Sequence, residues 1–365
     1  MSGWGPAYGR ISRWLGSGFR ELGVTADLVY LEGPEGVEIN GSTRDVRLGL
    51  RHARSAIGPL SRYFAAADPE VALAIPHTIA IVASIAGRMA RCPIVPWFVS
   101  IPRLDARDMP LRLRPLRAFA PLLLSGSPRI AAVSSDVREA LLVDFRRHID
   151  PDRIVVLPTP LDADEVRRLA TPRAPKADGL RICAVGRLSH AKGFDVLIDA
   201  LSRAGLTGNW EALILGDGPL REQLVRQVRA VGLDDHVRFM GYLDNPYPLM
   251  ASAHIAVQPS RWEGFSLAMG EFLALGIPLV TTDCPGGFRE VIGSAGLIVP
   301  PDVPQTLADA IVRLASDPRL LRSTASRGPE RMAAYTSETV ARQVMDLVAD
   351  VVRAREGPPS GRSSW

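Results

Sequence analysis

From residue 180 onwards the chain switches repeatedly between two periodicities, and this constrains its fold more than any other feature. Short apolar runs at 181–185, 212–215, 237–239, 255–258 and 279–282 alternate with 194–204, 220–231 and 266–275, where apolar residues recur at helical spacing. Strands that alternate with helices build a parallel sheet covered by those helices. In such doubly wound sheets ligands bind outside the carboxyl ends of the strands, so residues on loops just after a strand carry the most functional weight.

The first half repeats the pattern less clearly, with apolar runs at 27–31, 71–75, 94–99, 130–133 and 154–157. Between the halves, residues 171–179 combine two prolines, a glycine and charged residues, which marks a linker. The expected class is therefore α/β, with two doubly wound Rossmann-like domains facing a central cleft. Their bounds are 1–172 and 173–340, and a helix over 341–355 packs back towards the first domain. A sheet of this kind begins on an apolar strand, but here the chain opens at Met-Ser-Gly-Trp-Gly and runs into an amphipathic helix over 10–22. The first N-terminal strand is missing from the sequence. Either the chain is truncated or the domain manages with one strand fewer.

A length of 365 residues, with 47% hydrophobic and 22% charged, is enough for two ordinary cores and excludes a disordered or fibrous chain. The formal charge of +4 lies wholly in the first half, where 22 arginines stand against 18 acidic residues up to Thr171. Excess charge of this size is most simply a solvated face. Cys92, Cys183 and Cys284 are far apart, and neither disulfide nor metal-ligand spacing connects them, so they read as buried small side chains in a reducing, cytoplasmic setting. No signal-peptide pattern follows Met1. The most apolar stretch, 71–87, is broken by Pro76 and His77 and falls short of the roughly 20 residues that span a bilayer.

Three loops after strands carry the chemistry. The first reads Gly186-Arg187-Leu188-Ser189 and reaches Lys192-Gly193 at the start of a helix. Only two of the chain's 43 basic residues are lysines, and Lys192 is one of them. Cations held ready on this loop would stabilise charge gathering on a leaving group more than charge already present in the ground state. The second, Gly216-Asp217-Gly218-Pro219, suits a tight turn and a proline at the first helical position. Helix capping alone accounts for it equally well.

The third and most specific runs from Pro259-Ser260-Arg261-Trp262-Glu263-Gly264-Phe265-Ser266-Leu267 to Glu271. Main-chain N–H groups of Gly264, Phe265, Ser266 and Leu267 at a helix start form an anion site. Glu271 lies among apolar neighbours on a helix that reads as buried, where a carboxylate requires a partner. It can accept from two adjacent ribose hydroxyls, and Glu263 can do the same for sugar hydroxyls.

Taken in order, these motifs resemble the family-four retaining glycosyltransferases of GT-B architecture, most closely from Leu180 to about Pro300, including the segment from Thr282 to Glu290. The resemblance implies that Arg187 and Lys192, with Glu263, are catalytic. Donor binding would fall to Gly5, Gly186, Arg187, Lys192, Gly216, Asp217, Glu263, Gly264, Phe265, Ser266, Leu267 and Glu271. The donor would be a uridine or guanosine diphosphate sugar of hexosyl type, held by the second domain, with no metal and no cofactor beyond this co-substrate. The first domain would bind a glycan or lipid-linked acceptor, in the synthesis of cell-surface polysaccharide or glycolipid.

On the acceptor side the resemblance is partial. His77 follows a strand as a histidine does in relatives, but Trp97-Phe98-Val99-Ser100-Ile101-Pro102-Arg103 stands where relatives often carry another histidine. The expected acceptor residues are His77, Ser100 and Arg103. Arg112, Arg114, Arg117 and Arg129 lie among apolar residues and prolines, and two readings stay open: a solvated surface, or peripheral contact with anionic membrane at its inner face. Nucleic acid is not an expected partner. The alternatives to transfer are a catalytically silent sugar-nucleotide-binding protein and a nucleotide-sugar epimerase of the same fold.

Overall fold

The computed structural model describes residues 6–31, 36–50, 55–105, 124–145, 147–172 and 178–356. It contains two compact units, one of Met1–Pro160 with Tyr335–Trp365 and the other of Leu161–Ala334.

Among the described residues the first unit opens on helix Pro6–Glu21. Strands β1 (Ala26–Tyr30), β2 (Gly36–Asn40) and β3 (Thr43–Arg47) form a sheet of order β1-β3-β2, with β1 parallel and β2 antiparallel to β3. Strands β4 (Ala72–Ala74), β5 (Ile94–Phe98), β6 (Ile130–Ala132) and β7 (Ile154–Val156) form a separate parallel sheet in that order. Every residue of β5 is buried, as expected of an interior strand covered on both faces. Trp97 on β5 is fully enclosed and donates from Nε1 to the Leu157 carbonyl at 2.9 Å. Helix Ser337–Glu356 returns to this unit and packs on helix Pro6–Glu21, with Asp350 accepting from Arg129 Nε at 2.7 Å. Arg112, Arg114 and Arg117 lie outside the described residues.

The second unit holds one parallel sheet of β8 (Leu180–Val185), β9 (Trp210–Leu215), β10 (Val237–Gly241), β11 (Ile255–Gln258), β12 (Leu279–Thr282) and β13 (Gly296–Val299). Their order is β10-β9-β8-β11-β12-β13. The chain builds outwards from β8 in one direction and then, from β11, in the other. β8 and β11 are therefore the neighbours at which the winding reverses. Ile182, Val257 and Val280 from the sheet meet Phe194, Leu197 and Ile311 from the covering helices in one core. Burial on this scale contributes about 1.5 to 3 kcal/mol per large apolar side chain.

The division between units falls at Pro160/Leu161, ahead of the linker at 171–179. Helix Ala163–Leu169 accounts for this: Val166 is buried, and Arg167 Nε donates to the Ala274 carbonyl at 3.1 Å. At the other end the returning segment starts at Tyr335 rather than at 341, because Val340 and Ala341 are already enclosed within helix Ser337–Glu356. Among the described residues no helix is long and apolar enough to cross a membrane.

Candidate functional site

The loops after β8 and β11 leave neighbouring strands at the reversal of winding, where a doubly wound sheet opens a crevice. After β8 the chain passes Gly186 and an exposed Arg187, makes a single turn over His190–Lys192, and enters helix Phe194–Arg203 through Gly193. Gly193 has a φ of 63°, and a Cβ there would lie 2.0 Å from the Pro259 carbonyl oxygen. Only glycine permits both the left-handed backbone and the approach to the β11 loop. Gly216, with φ 132°, makes a second seam: its Cβ would stand 2.0 Å from the Gly186 carbonyl oxygen. Main-chain bonds close that seam, from Leu188 N to Asp217 O and from Leu220 N to Leu188 O, each 3.0 Å. The Asp217 carboxylate accepts from Gly218 N at 2.7 Å and so stabilises its own turn.

Lys192 and Glu263 are brought together as an ion pair, Nζ to Oε1. The same Oε1 accepts from Ser260 Oγ at 2.9 Å and from Gln258 Nε2 at 3.2 Å. Three donors thus compensate a carboxylate that is almost fully buried, which its desolvation demands. The Glu263 main chain donates to Pro285 O at 3.0 Å, tying this loop to the one after β12. Arg187 forms no ion pair among the described residues.

Arg261 makes the densest contacts of the loop. Its two terminal nitrogens donate to the two Asp195 carboxylate oxygens at 2.9 and 2.7 Å, and Nε donates to Asp302 Oδ1 at 2.6 Å. Burial tends to raise the Asp195 carboxyl, but the Arg261 hydrogen bonds and charge outweigh it and hold the group below the usual carboxylate range.

Helix Leu267–Ala274 starts from Ser266, whose side chain does not cap it. Gly264, Phe265, Ser266 and Leu267 are all buried. Glu271 is 1% exposed, and its Oε1 accepts from the Tyr247 hydroxyl at 3.0 Å. Tyr247, on helix Tyr247–Met250, thus gives this carboxylate a donor within the unit.

In the first unit, Gly5 and the His77 side chain lie outside what is described, although His77 opens helix His77–Ala90. Ser100 follows β5 and is half-buried. Arg103 stands 3.8 Å from Asp144. Among the described residues no group of three or more His, Cys, Asp or Glu is placed to hold a metal ion. The three cysteines are buried, which pushes the Cys92 thiol up to about 11 and raises Cys183 and Cys284 further.

Sequence reasoning missed the partners rather than the motif residues. Arg261 stands inside a quoted motif and Asp195 two residues beyond another, but no spacing says that they meet. Tyr247 carries no motif at all; a signal for it was the need of a buried Glu271 for a donor.

Two parallel Rossmann-like sheets, one of them presenting cations and a buried helix start at its reversal point, define a protein of the GT-B fold. Solved structures agree. Sucrose-phosphate synthase from Thermosynechococcus elongatus superposes with a TM-score of 0.75 at 21% identity, covering 94% of this chain and 92% of that one. Anabaena HepE in complex with UDP gives a TM-score of 0.68 at 21% identity, covering 81% and 82%. Residues 179–317 match the family model described as glycosyl transferases group 1. Among curated relatives, the N-acetylgalactosamine-N,N'-diacetylbacillosaminyl-diphospho-undecaprenol 4-alpha-N-acetylgalactosaminyltransferase of Campylobacter jejuni is 28% identical over 54% of this chain and 54% of its own. The chain spans about half the length of the curated relatives it matches, or less.

Proposed function

We propose that the protein is a retaining, metal-independent glycosyltransferase that moves a hexosyl-type sugar from a nucleoside diphosphate to a glycan or lipid-linked acceptor. The observation that carries this is the meeting of Lys192, Glu263 and the start of helix Leu267–Ala274 where the sheet reverses between β8 and β11. Arg187 and Lys192 take the diphosphate, and the N–H groups at the start of helix Leu267–Ala274 add positive potential. Together they supply the charge stabilisation that a metal gives in other transferases. Glu271, buried and oriented by Tyr247, receives the ribose hydroxyls. Glu263 holds Lys192 through Oε1 and offers Oε2 to a donor sugar hydroxyl.

As the bond to the sugar breaks, charge grows on the diphosphate beside Arg187 and Lys192. The acceptor hydroxyl attacks from the same face, passing its proton to the leaving phosphate, so the anomeric configuration is kept. Acceptor residues come from the first unit, with Ser100 and Arg103 as candidates. The diphospho-undecaprenol substrate in the name of the Campylobacter relative supports a lipid-linked acceptor, and with it cytoplasmic work at the inner membrane face. The test is calorimetric titration with a panel of uridine and guanosine diphosphate sugars, followed by transfer assays and NMR of the product anomer. No binding to any member of the panel overturns the reading; an inverted product overturns retention.

A further inference from the structure

We propose that Arg261 is a positioning residue that sets the diphosphate-binding loop and cancels the negative charge of Asp195 beside it. The inference rests on the donor reading above and adds to it a residue that is not expected to touch the donor.

One residue holds the loop on both sides of Lys192. The Arg261 main-chain N–H donates to Ala191 O at 2.8 Å, and one of its terminal nitrogens donates to His190 O at 2.9 Å. Beyond Lys192, both terminal nitrogens hold Asp195 in the first turn of helix Phe194–Arg203. Nε completes the set on Asp302, beyond the end of β13. A single guanidinium thus ties its own loop, after β11, to segments that follow β8 and β13. Trp262, the next residue, sets its ring against that of His190 with centroids 5.8 Å apart.

Asp195 stabilises its helix start, but it also places a carboxylate one turn from the lysine that is to meet a diphosphate. Uncompensated, it would repel that ligand across a partly buried medium, where screening by water is weak. The planar fork of Arg261 binds both carboxylate oxygens at once, which an ammonium does not. Loss of Arg261 therefore frees the loop and unmasks a negative charge. These effects separate experimentally, because removing the Asp195 charge cures the second.

The experiment measures affinities of the full chain for UDP, UMP, GDP and GMP by calorimetry, with circular dichroism as the folding control. The ratio of diphosphate to monophosphate affinity isolates the β-phosphate. In Arg261→Met that ratio is expected to fall about 10- to 100-fold, the range for charge-assisted contacts, with monophosphate affinity nearly unchanged. Arg261→Met combined with Asp195→Asn should recover most of the loss. A ratio within twofold of wild type in folded Arg261→Met, or no recovery in the double variant, overturns the proposal. Arg261→Lys serves if the Met variant does not fold, and an unchanged ratio there also overturns it. A wild-type chain that binds none of the four nucleotides instead overturns the donor reading on which this one stands.

Discussion

The Lys192 ammonium and the Glu263 carboxylate, arriving from loops after two different strands, are held as an ion pair in which Ser260 and Gln258 share the carboxylate oxygen. The pair places the cation and restrains it, so Lys192 is oriented before any ligand arrives.

Replacing Lys192 with alanine should lower turnover at saturating donor by about 100- to 1,000-fold, the effect of removing one charge-stabilising donor from an active site. Lys192→Arg should also be impaired, since the fork does not reproduce the placement of the ammonium. Steady-state kinetics that show normal turnover at saturation would demote the pair to an anchor.

Glu271→Ala should abolish donor binding in a protein that stays folded. Tyr247→Phe should weaken the same binding by a smaller factor, corresponding to about 0.5 to 1.5 kcal/mol for one hydrogen bond. Calorimetry with the donor nucleotide checks both, and equal effects of the two substitutions would contradict the assigned roles.

Activity should persist in excess EDTA, because Arg187, Lys192 and a helix start supply the positive charge in the proposed reaction. Loss of turnover that magnesium or manganese restores would falsify this.

The Asp195–Arg261 pair should make stability sensitive to acid. The folded-state Asp195 carboxyl titrates below its ordinary value of 3.8, so the pair's contribution is complete above that value and is lost as pH falls through the lower folded one. Thermal unfolding below about pH 4 should fall less steeply for Asp195→Asn than for wild type. Parallel curves would exclude the linkage.

Much of the second unit was legible in the sequence because its strands are largely apolar and β8 and β9 run straight into Gly186 and Gly216; β11 and β12 have the expected bounds of 255–258 and 279–282. Strands β2 and β3 went unread because Gly36–Asn40 is exposed along almost its whole length and carries no burial pattern. Strand β13 escaped for a related reason, since three of its four residues are only half-buried. At the site, the sequence singled out Lys192, Glu263 and Glu271, and of these Glu271 as a carboxylate that needs a partner. It gave no partner identities, because Arg261–Asp195 and Tyr247–Glu271 are contacts between elements far apart in sequence, and those depend on the order in which the strands assemble.

The seams at Gly193 and Gly216 bear on how the second unit can move. Main chain lies against main chain there, with no side chain to rotate out of the way, so the loops after β8, β9 and β11 cannot slide past one another. They travel as one body. A hinge within this unit cannot run between them, and adjustment to a ligand falls to the side chains they display, foremost the exposed Arg187.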